Sequence, residues 1–177
     1  ARHWSPEGFL SRAHEEARYA SGQAALRRFR EAQLASEPIV PVAIERPFSF
    51  ALGRDVVRGR IDRLDETSAG AVITDYKSSD VRDQRKADEK ARDSLQLQVY
   101  ALAHEADTGQ LPAAVQLHFL DSGVVGRATP DAARLDRATA KLSAAADGIR
   151  SGDFPARPNP IGCGYCPFRE ICPSSAA

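Results

Sequence analysis

The apolar positions along this chain change their period several times, and each change marks an element. From Ser11 to about Ser36, Leu26, Phe29 and Leu34 stand among Ala, Arg and Glu in a helical pattern. Glu37-Pro38 ends it, because a residue before proline avoids the helical region. Ile39–Leu52, Asp55–Leu64 and Ala71–Lys77 then alternate or run apolar, separated by Leu52-Gly53-Arg54 and by a Glu66–Gly70 turn. That pattern predicts a three-stranded antiparallel meander. Ser78–Asp93 is dense in charge of both signs and scarcely apolar, either a flexible loop or the exposed start of a helix. Leu95, Val99, Leu102 and Ala103 fall at helical spacing, and Gly109 with Pro112 closes that helix. Ala113–Leu120 and Val124–Thr129 read as two further strands across Asp121-Ser122-Gly123. Pro130 and Asp131 open an amphipathic helix carrying Leu135, Leu142 and Ile149, which stops at Gly152 before a proline-rich tail. The order predicts a mixed α/β (α+β) fold, a central mixed β-sheet flanked by helices.

Composition narrows the class more than the function. A chain of 177 residues, 42% hydrophobic and 27% charged, suits one soluble domain with a single sizeable core. We divide it into a helical segment 1–36, a core 37–152 and a tail 153–177. No stretch approaches the roughly 18 apolar residues of a membrane span, and no secretory leader is evident. A cytoplasmic setting is therefore expected. The formal net charge is zero, so any affinity for DNA must come from a local patch or from neighbouring domains. The chain lacks methionine and opens on Ala1, which leads us to expect a domain cut from a longer polypeptide.

The candidate chemistry sits at the end of Ala71–Lys77, A-V-I-T-D-Y-K. Alternation along a strand puts Asp75 and Lys77 on one face. Asp62 precedes them in G-R-I-D-R-L on the adjacent predicted strand. Two carboxylates and a lysine converging on one spot suit a divalent cation and a phosphate. Each also has a plainer reading, Asp62 as a surface partner of Arg60 or Arg63 and Asp75 with Lys77 as a salt bridge. Gln96 and Tyr100 lie four apart, on one helical face. Glu45 is either a supporting acid or the polar side of a strand. Arg54, Arg58, Arg60 and Arg63 surround the hairpin, while Arg82, Arg85, Lys86, Lys90 and Arg92 are diluted by acids into a mixed-charge face. Cys163, Cys166 and Cys172 crowd the end of the chain, a spacing that favours a reduced, metal-binding role over disulfides.

The succession Gly59-x-x-Asp62-Arg63, Asp75-x-Lys77, Gln96-x-x-x-Tyr100 resembles the RecB-like branch of the PD-(D/E)XK nucleases, from about Ile39 to the cysteines. The resemblance implies a restriction-endonuclease-like core with Asp62, Asp75 and the Tyr76 backbone carbonyl as ligands to Mg²⁺ or Mn²⁺. It implies that Lys77 serves the attacking water and that Gln96 and Tyr100 support the site. Such nucleases carry an upstream histidine in a G-x-x-H context; Ser11-Arg12-Ala13-His14 has the helix but lacks the glycine. In AddB-type, AdnB-type and CRISPR-associated relatives the cysteine spacing supplies three of four ligands to a [4Fe–4S] cluster. The fourth cysteine has no counterpart here, and zinc is the alternative. The implied function is Mg²⁺- or Mn²⁺-dependent DNA exonuclease activity on single strands or unwound ends. Its setting would be the C-terminal domain of a bacterial UvrD/RecB-type helicase–nuclease in double-strand-break repair and recombination. A catalytically silent DNA-binding module and a CRISPR-associated iron–sulfur exonuclease are the alternatives.

Overall fold

The computed structural model describes residues 4–36 and 39–176, so the expected chain start at Ala1 and the helix stop at Glu37-Pro38 lie outside the described residues. The chain forms two compact units, Ala1–Thr139 and Ala140–Ala177.

The first unit opens with α1 (Arg12–Ala35), whose N-terminus is capped by the Ser11 hydroxyl accepting from the His14 N–H. Little of α1 is apolar on its sheet side. Leu26 and Leu34 are exposed, and Ala25 is buried. Phe29 is its main anchor, packed edge-on to Tyr76 and tilted on His118. The strand expected from Ile39 begins later, as β1 (Ala43–Leu52), followed by β2 (Asp55–Thr67) and β3 (Gly70–Lys77). The two hairpins are antiparallel, as the alternating pattern predicts.

From β3 the chain leaves the sheet through α2 (Gln84–Asp93) and α3 (Leu95–Thr108), then returns as β4 (Ala114–Phe119) parallel to β3. A parallel neighbour requires such a crossover. β5 (Val125–Ala128) completes a five-stranded mixed sheet in the order β1-β2-β3-β4-β5. β3 is therefore the central strand, and its run Ala71–Asp75 is buried throughout, which explains why apolar residues fill it without alternation. Ile61, Leu64, Ile73 and Leu117 of the sheet pack with Leu97, Tyr100 and Ala101 of α3.

The charged stretch Ser78–Asp93 resolves into the helix α2, capped by Asp83. Ala87 and Ala91, one turn apart, form its buried side, and small side chains let it lie directly on the edge strand β5. The approach is close: a Cβ on Gly126 would lie 2.0 Å from the Ala87 carbonyl oxygen. Gln84 Nε2 donates to the Val125 carbonyl at 2.8 Å, and Asp88 Oδ1 accepts from the Arg127 N–H at 2.9 Å. These bonds occupy edge groups that would otherwise template pairing with another chain.

The helix α4 (Ala132–Ser151) buries Leu135 and Ala138 at its start. The second unit comprises the rest of α4, a short helix α5 (Pro160–Gly164) capped by Asn159, and the cysteine-bearing turns. No helix among the described residues is long and apolar enough to cross a membrane.

Gly126→Ala is expected to force α2 off β5. Overpacking of this kind costs about 1–3 kcal/mol, to be read as a lower urea midpoint.

Candidate active site

The central strand delivers its last residues to opposite faces. Tyr76 meets Phe29 of α1, while Asp75 and Lys77 face α3. Lys77 Nζ lies 2.7 Å from Asp75 Oδ2 and 2.7 Å from Gln96 Oε1. Gln96 Nε2 in turn donates to the Tyr100 hydroxyl at 2.7 Å. Ser94 caps α3 by accepting from the Leu97 N–H, which starts the helix so that Gln96 and Tyr100 project toward the strand end. The four side chains predicted from separate parts of the chain thus form one connected cluster.

The donor sequence along that cluster has one sense. An ammonium only donates, so the Gln96 oxygen accepts and its amide nitrogen donates onward to Tyr100. Tyr100, accepting from Gln96, keeps its own proton, and its hydroxyl helps hold the Asp75 carboxyl down. Asp62, on β2, joins from the other side: its Oδ2 accepts the Tyr76 N–H at 3.0 Å.

Asp75 is 2% exposed. Burial pushes its carboxyl above the usual range, Lys77 pulls it back, and the nearby Asp62 charge adds to the rise. Burial raises the Tyr100 phenol as well. Although Lys77 Nζ is close to Asp75 Oδ2, it is off the line a hydrogen bond needs, and this buried oxygen takes no directed bond. A buried carboxylate oxygen with an unfilled lone-pair direction beside a second carboxylate fits a hard divalent cation.

Gly59 and Phe48 support this arrangement from β2 and β1. A Cβ on Gly59 would lie 2.5 Å from the end of the Phe48 ring, so glycine is what lets that ring cross the strand. Phe48 then meets Tyr100 edge-on, with ring centroids 5.8 Å apart. Nothing in the one-dimensional pattern marks Phe48, whose partners come from β2 and α3.

Other candidates fall elsewhere. His14 is engaged locally, its Nδ1 accepting from the Leu10 N–H and its ring against Phe9. Arg63 does not reach toward a phosphate: its Nε grips both oxygens of Asp65 at 2.9 and 2.8 Å on the α1 face, beside Thr74 and Gln116. There His118 is held toward its neutral form by burial and by Arg63. The charges after β3 pair among themselves, Arg82 with Asp80 and Arg85 with Glu89, the mixed-charge face expected there. Cys163, Cys166 and Cys172 are free thiols in the second unit. Hydrogen bonds from backbone groups at Asn159 and Ala176 lower the Cys163 thiol. Among the described residues no three His, Cys, Asp or Glu side chains are gathered to hold a metal. The three thiols are thus not drawn together into one ligand group, and neither His14 nor Glu45 joins Asp62 and Asp75 as a third side-chain ligand.

A five-stranded mixed sheet whose central strand ends in a buried Asp75 followed by the partly exposed Lys77 is the arrangement of a nuclease-type core. The chain belongs to the PD-(D/E)XK nuclease superfamily, whose family model matches residues 2–173. It is 31% identical over 138 residues to the gene 69 protein of Mycobacterium phage L5, an alignment covering 74% of this chain and 44% of that protein. The chain thus spans less than half the length of that curated relative. The crystal structure of SSO0001 superposes over 93% of this chain and 75% of its own, with a TM-score of 0.47 and 19% identity.

Asp75→Asn should raise stability in metal-free buffer. A carboxyl whose folded pKa is raised favours the folded state at low pH, and that advantage is lost as pH rises through the folded pKa. The variant should therefore melt higher than wild type at neutral pH, with the gap closing toward the ordinary carboxyl value of 3.8. The gain is read as a higher melting temperature of the variant at neutral pH. Gly59→Ala should lose about 1–3 kcal/mol by overpacking against Phe48, and Phe48→Leu in that background should recover part of the loss in urea unfolding.

Proposed function

We propose that this chain is a divalent-metal-dependent deoxyribonuclease domain of the RecB-like branch. Its substrate is single-stranded or unwound DNA, and it works beside helicase domains in DNA break processing. The observation that carries the reading is the buried Asp75 carboxylate, with an oxygen lacking a directed partner, held between Asp62 and Lys77. The Gln96–Tyr100 face of α3 closing on Lys77 favours the RecB-like branch over other branches of the superfamily.

Asp62, Asp75 and the Tyr76 carbonyl are the groups that would hold Mg²⁺ or Mn²⁺. When bound, such an ion supplies Lewis acidity toward the phosphoryl oxygens and lowers the pKa of water. The chain's own residues do the rest. Lys77 directs an N–H to Gln96, and the donors it has left can orient the attacking water or meet charge building on the phosphoryl group. Gln96, itself bonded to Tyr100, holds the ammonium at the strand end, where it also lies 2.7 Å from Asp75 Oδ2. The Tyr76 N–H bond fixes the rotamer of Asp62, which is needed because a misplaced ligand shifts the reacting atoms. Hydrolysis by this arrangement adds water to phosphorus, breaks the bond to the 3′ oxygen, and leaves a 5′-phosphate.

The test is digestion of end-labelled single- and double-stranded DNA with Mg²⁺ or Mn²⁺. Wild type should cleave and be silenced by chelation, while Lys77→Ala and Asp75→Ala should each lose about 100-fold or more. A folded wild type that binds DNA without cutting it in either metal would instead support a structural module.

A further inference from the structure

Glu45 is the non-glycine residue with a positive φ among the described residues, at 50°. A side chain there crowds its own backbone, and such conformations persist where the surroundings impose them. Its position is informative. The β1–β2 register runs Ala43↔Leu64 and Ile44↔Arg63, then resumes at Arg46↔Ile61. The omitted pair, facing each other across the hairpin, is Glu45 and Asp62. On the other side of β2 the ladder to β3 ends at Arg63↔Thr74, so Asp62 stands outside both ladders.

Both strands change phase at this level. Half-buried positions on β1 fall at Ala43 and then at Arg46, Phe48 and Phe50, a three-residue step followed by regular twos. On β2 the buried core residues Ile61 and Leu64 are likewise three apart. A regular strand would put Ile61 and Leu64 on opposite faces. The irregularity lets both reach the core while Asp62, between them, turns its carboxylate to the Tyr76 N–H.

The Glu45 side chain does not account for its own conformation. Its partner is Arg60 at 3.9 Å, with both side chains about 60% exposed, 61% and 60%, and exposed pairs of this kind contribute little. What Glu45 contributes is its backbone. We infer that Glu45 is a positioning residue: its left-handed backbone opens the β1–β2 ladder opposite Asp62 and thereby sets the Asp62 carboxylate on the Tyr76 amide, in line with Asp75. The inference rests on the metal-nuclease reading only for its last consequence, the binding of the ion.

The experiment compares Glu45→Gly, which accepts the left-handed conformation without a carboxylate, with Glu45→Val, which opposes it. The first readout is amide hydrogen exchange at Tyr76 relative to Thr74 on the same strand, in the metal-free protein. Glu45→Gly should keep the wild-type ratio, and Glu45→Val should lose Tyr76 protection selectively. The second readout is Mn²⁺ binding by calorimetry, expected unchanged in the glycine variant and weakened by about 10-fold or more in the valine variant, as for other residues that orient metal ligands. If valine prevents folding, Glu45→Ala takes its place. A folded Glu45→Gly with lost Tyr76 protection, or a Glu45→Val with full protection, overturns the inference. Wild type that neither binds Mn²⁺ nor cuts DNA overturns the metal-nuclease reading instead, and the amide comparison still decides the role of Glu45.

Discussion

Burial of the Asp75 carboxylate on the central strand is the constraint around which the rest of this unit is arranged. A charge removed from water is destabilising by several kcal/mol unless something compensates it. Here compensation comes from two groups, Lys77 from the same strand and Tyr100 from α3. The pull of Lys77 against burial and against Asp62 leaves the carboxyl raised, so the metal-free protein carries an electrostatic deficit at the site. A divalent cation held there, as proposed above, would offset that deficit and couple ion binding to stability.

The same constraint explains why small residues recur around the site. Gly59 admits the Phe48 ring, which backs Tyr100, and Tyr100 orders Gln96 and Lys77. Gly126 admits α2 against β5, which fixes the crossover leading from Lys77 to the start of α3. In both places backbone or ring approaches closer than a methyl group permits. The two faces of the sheet are handled differently. The α3 face carries the site and the apolar core, whereas the α1 face carries a polar layer in which Arg63 pairs with Asp65 and Gln116 with Thr74, Arg63 also reaching Gln33 and the Ile39 carbonyl. Arg63, next to Asp62 in the chain, belongs to that second face, on the far side of the phase change between Ile61 and Leu64.

Much of this was legible in one dimension. The order of elements, the two hairpins and the buried β3 follow from period and spacing, because alternation and the helical repeat are local geometry, whereas Asp62, Asp75 and Lys77 stood out by their places on adjacent strands and Gln96 and Tyr100 by the resemblance to RecB-like nucleases. The beginning of β1 was placed too early, since apolar residues at Ile39, Val40 and Val42 look like a strand although they are exposed and lie before its start. The charged segment after Lys77 gave no decision between loop and helix. Its apolar side is made of alanines, whose burial depends on a glycine in a strand reached only after α3.

What the chain by itself determined is therefore which groups exist and which face each takes within its own element. Tertiary structure decided which of those faces meet. It joined Lys77 to Gln96 and left His14 outside the carboxylate cluster. It also placed Glu45 opposite Asp62 in a conformation that no residue preference of glutamate would suggest. The reason is physical: side-chain direction is set by backbone neighbours one to four residues away, whereas desolvation, ion pairing and strand register depend on partners brought close only when the sheet has assembled.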